Sequence, residues 1–421
     1  MTKWIMSRRT LLLSGFLALI SEIPGLAAVL PTLKLNKALN STSLQFTGTA
    51  ASAGVGYLEY GKKVGIYESK TPTFAISKQF TTTVTGLQPG TKYFFRLRYK
   101  LSGKSYLATS AIAVSTQSAS TSSLFAIQAD PHMDENSSAD VYNKTLDLIA
   151  NSGASFLIDL GDIFMVDKLA DKSEANIRAR YVLMKNYYQR LKGMPLKIVL
   201  GNHDGELGYS SFNTKNYRAE YFPEQTGPVA YFAYSESDVL HIGLDPFTYT
   251  TSNPKADGWQ WTLGKAQYDW LTSTLQNSTE RHKFVYIHHL LVGDAQSRGG
   301  VHIANFNEWG GKNMDGSEGF SKMRPGWTKP IHQLLKDNGV SIVFKGHDHL
   351  YVKEEMDGLI YQTLPQPSHP GDGTNSAIEY GYGEGKVIGG SGYLRVKTDP
   401  AGILVEFIKY DGSLGDSYHL Q

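Results

Sequence analysis

Five short apolar runs in this chain each stop at a cluster of Asp, His, Asn or Gly. Leu124–Ala129 is followed by Asp130-Pro131-His132, Phe156–Leu160 by Gly161-Asp162, and Leu196–Leu200 by Gly201-Asn202-His203-Asp204. Phe284–Ile287 gives way to His288-His289, and Val343–Lys345 to Gly346-His347-Asp348-His349. Apolar runs this short, bounded by turn residues, read as buried strands. Segments between them, such as Ala139–Ala150 and Ile177–Leu191, have helical spacing. Strand and helix in alternation predict an α/β layered fold with helices outside the sheet. In such sheets ligands bind at the carboxyl ends of strands, so the five loops should converge on one crevice. Gly161, Gly201 and Gly346 allow the sharp turns this requires.

Composition narrows the chemistry. The chain has no cysteine, which excludes disulfides, zinc–thiolate sites, iron–sulfur clusters and cysteine nucleophiles. Any metal must be held by His, Asp, Glu, Asn or Tyr. The 421 residues, at roughly 100–200 per domain, predict two or three domains. The formal charge of +2 arises at the front, where Lys3, Arg8 and Arg9 face a single Glu22. The rest of the chain is neutral and shows no overall bias toward nucleic acid or an anionic membrane.

Residues 1–28 read as an export signal, with Arg8-Arg9, the apolar run Leu11–Ile20, and small residues Gly25, Ala27 and Ala28 before a cleavage point. The run is about half the ~20 residues a membrane span needs. Ser7-Arg8-Arg9-Thr10-Leu11-Leu12 resembles the twin-arginine signal, although Leu11 stands where Phe is most frequent. The resemblance implies the twin-arginine export machinery as a partner and a periplasmic or extracellular mature chain, with no membrane span.

Residues 30–116 read as β throughout, with alternating runs at Ser43–Thr47, Val55–Tyr60, Phe80–Thr85 and Tyr93–Tyr99. The turn Gly86-Leu87-Gln88-Pro89-Gly90 before Tyr93 fits a tyrosine corner. This segment resembles fibronectin type III domains; similar sandwiches precede the catalytic domain in purple acid phosphatases. Residues 117–123, Gln-Ser-Ala-Ser-Thr-Ser-Ser, read as a linker to a catalytic domain over 124–421.

Each cluster in the second domain is common alone, but five in order at strand ends are not. Together they resemble the calcineurin-like metallophosphoesterases, whose pattern is D-x-H, G-D, G-N-H-[DE], H and G-H-x-H, over roughly residues 124–410. The resemblance implies a four-layer β-sandwich flanked by helices. It implies two divalent or trivalent metal ions (Fe, Mn, Zn or Co) and in-line attack of a metal-bound hydroxide on a small phosphomonoester or phosphodiester. Carried over by motif, Asp130, His132 and His349 hold one metal. Asn202, His288 and His347 hold the other, and Asp162 bridges; His289 is the alternative to His288. His203 faces the substrate and assists the leaving group, and Asp204 is expected to orient it. Three residues after Asp162 stands Met165, where purple acid phosphatases carry a Tyr ligand and protein serine/threonine phosphatases an Asp.

Arg298 and Trp309, in the long segment between His289 and Lys345, are weaker candidates for substrate contact; a packing role is as well supported. His241, His282, His332 and His419 read as structural. Asp134, Glu135 and His369 are left without a role. The competing reading is a secreted binding protein or adhesin working through its β-sandwich, with a non-catalytic metal domain.

Overall fold

The computed structural model describes residues 31–101, 105–116, 122–133, 137–204, 217–222, 229–248, 258–278, 280–291, 298–383 and 385–421. The expected export signal, most of the expected linker, Asp134 and Glu135 lie outside these residues. The chain forms two compact units, residues 1–117 and 118–421.

Alternation builds the first unit. In Lys92–Leu101 every second side chain from Tyr93 to Tyr99 is buried, and the same holds for Leu44 and Phe46 in Ser43–Thr49. Ser43–Thr49 and Gln79–Val84 belong to a three-stranded sheet, and Gly54–Gly61 and Lys92–Leu101 to a six-stranded one. Their inner faces share one core in which Phe46 and Phe95 lie 4.6 Å apart, centroid to centroid. Tyr93 makes the tyrosine corner, its hydroxyl accepting the Gln88 N–H at 2.9 Å.

The second unit is a stack of four layers. One sheet has the order Leu196–Ile198, Leu157–Asp159, Ser123–Gln128, Gly392–Asp399, Gly402–Lys409, Leu414–Leu420. The other runs Phe232–Glu236, Val239–Gly243, His282–Ile287, Ile342–Lys345, Leu359–Thr363, Tyr351–Met356, Lys386–Ile388. Between the sheets lies an apolar core that includes Phe125, Ile127, Phe284, Phe344 and Val396. The helices Ala139–Asn151 and Glu174–Tyr188 cover the first sheet. Gly264–Gln276 and Ile331–Asp337 cover the second. Helical spacing makes this possible: Tyr142, Leu146 and Ile149 fall on one stripe of the first helix, which Ser138 caps by accepting the Val141 N–H. The strands that lead into the five loops are parallel within each sheet, pairing Ala126 with Leu157, Leu157 with Leu196, and Phe284 with Ile342. Their carboxyl ends therefore point the same way within each sheet. That is what brings the ligand-rich loops together.

Candidate metal centre

Five loops from both sheets meet at the carboxyl ends of these strands, and two groups of ligand atoms form there. Asp130, His132 and His349 make one; Asp162, His288 and His347 make the other, each with its ligand atoms within 4.8 Å of one another. His132 Nε2 and His349 Nε2 are 3.1 Å apart, and Asp130 Oδ1 is 3.5 Å from His349 Nε2. In the second group His288 Nε2 lies 3.1 Å from both Asp162 Oδ2 and Asn202 Oδ1. Asp162 also faces the first group, with Oδ2 at 3.7 Å from His132 Nε2. A carboxylate between two clusters is placed to bridge.

The close approach needs small residues. A Cβ on Gly201 would stand 2.1 Å from Asp162 Oδ1, and one on Gly161, at φ +92°, would stand 2.2 Å from Gly201 N. The ligands themselves carry strain: Asp130, His132, Asp162, His347 and His349 all have φ between +44° and +71°. For residues with a Cβ that region is sparsely populated and clusters at functional sites.

The surroundings orient the ligands. His288 Nδ1 donates to the Leu160 carbonyl at 2.8 Å, which turns Nε2 into the cluster. The backbone N–H of His347 donates to Asp130 Oδ2, and that of His203 to Asp162 Oδ1. Asp348, between two ligands, is buried and accepts from Lys345 Nζ at 2.7 Å, the Gly299 N–H at 2.9 Å and the Tyr382 hydroxyl.

Charge follows from this crowding. Burial raises the cost of ionising Asp162, but His288, His203 and His132 outweigh it and hold the carboxyl well below its ordinary range. Asp130 is lowered in the same way by His349, His132 and His288 against its burial. For His288 burial opposes the proton, yet Asp162 and Asp130 raise it to about 9. Asp130 Oδ1 is buried without a hydrogen-bond partner. An orphaned anionic oxygen among imidazoles is costly unless a cation completes it, so the mixed imidazole and carboxylate donor set fits a metal cation.

His203 points the same way. Its Nδ1 lies 2.6 Å from Asp167 Oδ1, and its Nε2 faces Asp162 Oδ2 at 4.0 Å. Burial works against protonation, but Asp162 and Asp167 prevail and the pKa is raised. Asp204 does not orient this ring. It is buried and accepts the backbone N–H groups of Gly201, Asp162 and Ile163 at 2.7–2.8 Å, tying two ligand loops together. Asp167 takes the role expected of Asp204, from the turn Val166–Lys168 just after Met165.

His289 belongs to neither group although its ring lies 5.3 Å from that of His347; Phe247 and Trp261 wall it at 5.3 and 4.5 Å, and burial pushes its pKa down to about 3. Of the two roles left open for Trp309, substrate contact and packing, it takes packing. It is fully buried in the core beneath the second sheet and donates from Nε1 to the Tyr361 hydroxyl at 2.8 Å. Arg298 does reach the site's edge, donating to the His347 carbonyl at 2.5 Å with its guanidinium over Tyr380. His241 and His332 are bonded within the fold, to Tyr286 and Tyr361.

Among solved structures the chain is similar to PhoD, at 12% identity and TM-score 0.49, covering 92% of this chain and 88% of that one. It is similar to the purple acid phosphatase PPD1 of yellow lupin, at 13% identity and TM-score 0.48, covering 92% and 74%. GAP50 of Plasmodium gives 17% identity and TM-score 0.47, covering 71% and 89%. A comparison with curated protein sequences returned no match. The family model for calcineurin-like phosphoesterases matches residues 124–351, a span holding every ligand described above, and the chain belongs to that family.

Proposed function

We propose that the chain is an exported phosphoesterase with a two-metal centre, hydrolysing phosphomonoesters or phosphodiesters. The observation that carries the reading is the pair of ligand groups sharing Asp162, with a buried Asp130 oxygen left for a cation. Asp130, His132 and His349 would hold one ion and Asn202, His288 and His347 the other, with Asp162 between them. When bound, such ions neutralise charge on the phosphoryl oxygens and make water a nucleophile near neutral pH.

The chain's own residues do the rest. His203, fixed through Nδ1 by Asp167, presents Nε2 toward the centre. Its pKa is raised by Asp162 and Asp167, which favours the protonated ring, and Nε2 would donate its proton to the leaving-group oxygen as the ester bond breaks. Asp204 and Asp348 keep the ligand loops in place through backbone and buried side-chain bonds. Export rests on the layout of residues 1–28; no helix among the described residues is long and apolar enough to cross a membrane.

The test is a panel of nitrophenyl phosphate, bis-nitrophenyl phosphate, nucleotides and cyclic nucleotides, run on protein stripped by chelation and reloaded with Mn, Fe, Zn or Co. Turnover should vanish on stripping and return with metal. Full turnover in demonstrably metal-free protein would overturn the reading. Replacing Arg8-Arg9 by Lys-Lys should block export and leave active protein in the cytoplasm; unchanged secretion would remove the twin-arginine route.

A further inference from the structure

The first unit's two sheets have outer faces of very different character. On the three-stranded sheet the rungs Gln45–Thr83, Thr47–Thr81 and Thr49–Gln79 are uncharged, and lysines sit only on the edge strand Lys34–Asn40. On the six-stranded sheet, the strand Lys92–Leu101 turns Lys92, Arg96, Arg98 and Lys100 outward at alternate positions. This strand is internal, paired with Gly54–Gly61 on one side and with Leu107–Ala108 and Ile112–Ser115 on the other. Its cations therefore do not serve to guard a sheet edge. At about 3.4 Å per residue they form a row roughly 27 Å long. Lys70 joins it across Glu59, the carboxylate shared by Arg96 and Arg98.

Aromatic rings are interleaved with the charges. Tyr57 pairs in register with Arg98 and lies 5.5 Å from Tyr106, centroid to centroid. The Arg96 guanidinium stacks 4.2 Å above Tyr67, and Lys92 lies 5.5 Å from the Phe94 ring. Tyrosine offers both an apolar face and a hydroxyl. In a chain that is neutral beyond residues 1–28, a row of excess cations beside the exposed Tyr106 and the half-buried Tyr57 and Tyr67 is a local feature.

We infer that this face binds a linear acidic polysaccharide, its carboxylates meeting the Lys92–Lys100 row and its sugar rings lying against the tyrosines. The face is an open sheet rather than a groove that tracks a backbone, which favours a glycan over single-stranded nucleic acid. The inference is independent of the phosphoesterase reading, because none of these residues belongs to the metal centre.

The experiment uses the full mature chain with three probes: polygalacturonate, neutral dextran and poly(dT), by isothermal calorimetry at two salt concentrations. Polygalacturonate should bind, more weakly at high salt, and dextran should not. The variant K92Q/R98Q/K100Q should lose about tenfold or more in affinity, and T47Q/T81Q on the opposite sheet should lose none. Should the triple variant fail to fold, K92Q and K100Q singly, both at exposed positions, should each weaken binding about two- to threefold. Turnover of nitrophenyl phosphate, read on the same samples, tracks the metal centre separately. No binding of polygalacturonate by the unaltered chain, undiminished binding by folded variants, or tighter binding of poly(dT) would overturn the inference.

Discussion

The metal centre is assembled from loops of two sheets, so anything that parts the sheets disassembles it, and His241 is placed to do so in acid. It lies fully buried on Val239–Gly243, stacked on Tyr234 at 4.8 Å and edge-on to Phe125 at 5.1 Å and Phe156 at 5.4 Å. Its Nδ1 meets the Tyr286 hydroxyl at 2.8 Å, and its Nε2 has no partner. Burial alone pushes its pKa down to about 3. Below pH ~6.5 the unfolded chain takes up a proton there that the folded chain refuses. Stability is therefore lost progressively as pH falls from about 6.5 toward about 3. Between pH 7 and pH 4 the loss integrates to about 3 kcal/mol.

His241→Phe removes the titration while keeping a ring in the same slot. It forfeits the Tyr286 bond, a cost of about 1 kcal/mol that does not vary over this range. The assay is urea unfolding of the mature chain and its variant at several pH values. Tryptophan fluorescence reports the second unit, because Trp259, Trp261, Trp270, Trp309 and Trp327 all lie there and Trp4 lies within residues 1–28, the expected export signal. Acid effects at the metal centre are common to both proteins and cancel in the difference. The variant should be slightly less stable at pH 7 and more stable at pH 4, a swing of about 3 kcal/mol. A difference that stays flat with pH would refute the argument.

Further outcomes follow from the centre. His203→Ala should keep its metals and lose roughly 10²–10⁴-fold in turnover, whereas Asp162→Asn should lower metal content; metal analysis showing the reverse pattern would exchange their roles. Asp167→Asn should cost roughly 10–100-fold in kcat at unchanged metal content, and adding it to His203→Ala should cost nothing more, since it acts through that ring. A further loss in the double variant would mean a purely structural part for Asp167. Iron-loaded, oxidised protein should lack an intense visible tyrosinate band, because Met165 occupies the position of the tyrosine ligand; such a band would show that another Tyr reaches the metal.

What the sequence disclosed and what it hid follow one physical rule. The candidate ligands stood out because each sits just after an apolar strand, and parallel strands carry their following loops to one end. Asp167 was not, because its bond to His203 crosses from one strand-end loop to another and leaves no periodic trace. Asp204 was misread for the complementary reason: adjacency to His203 suggested a partner, but its carboxylate turns back onto three backbone N–H groups. Trp309 lies in a long connecting segment, where burial is hard to foresee, and its indole completes the core beneath the second sheet. The hairpins from Gly392 to Leu420 widen the first sheet by three strands, yet they carry no ligand and stood out in no motif.

The backbone of the ligands sharpens the point. Five of them hold a left-handed conformation that costs roughly 1–3 kcal/mol per residue and that backbone sterics alone would assign to glycine. Glycine does stand at Gly161, Gly201 and Gly346, where a Cβ would collide with neighbouring ligand-loop atoms. At Asp130, His132, Asp162, His347 and His349 the chain keeps carboxylates and imidazoles despite the strain. Asp204, Asp348 and the His347 N–H bond to Asp130 brace the strained loops. A structural turn would have no reason to retain these side chains at such a cost; a site that must present charge and lone pairs to a cation does.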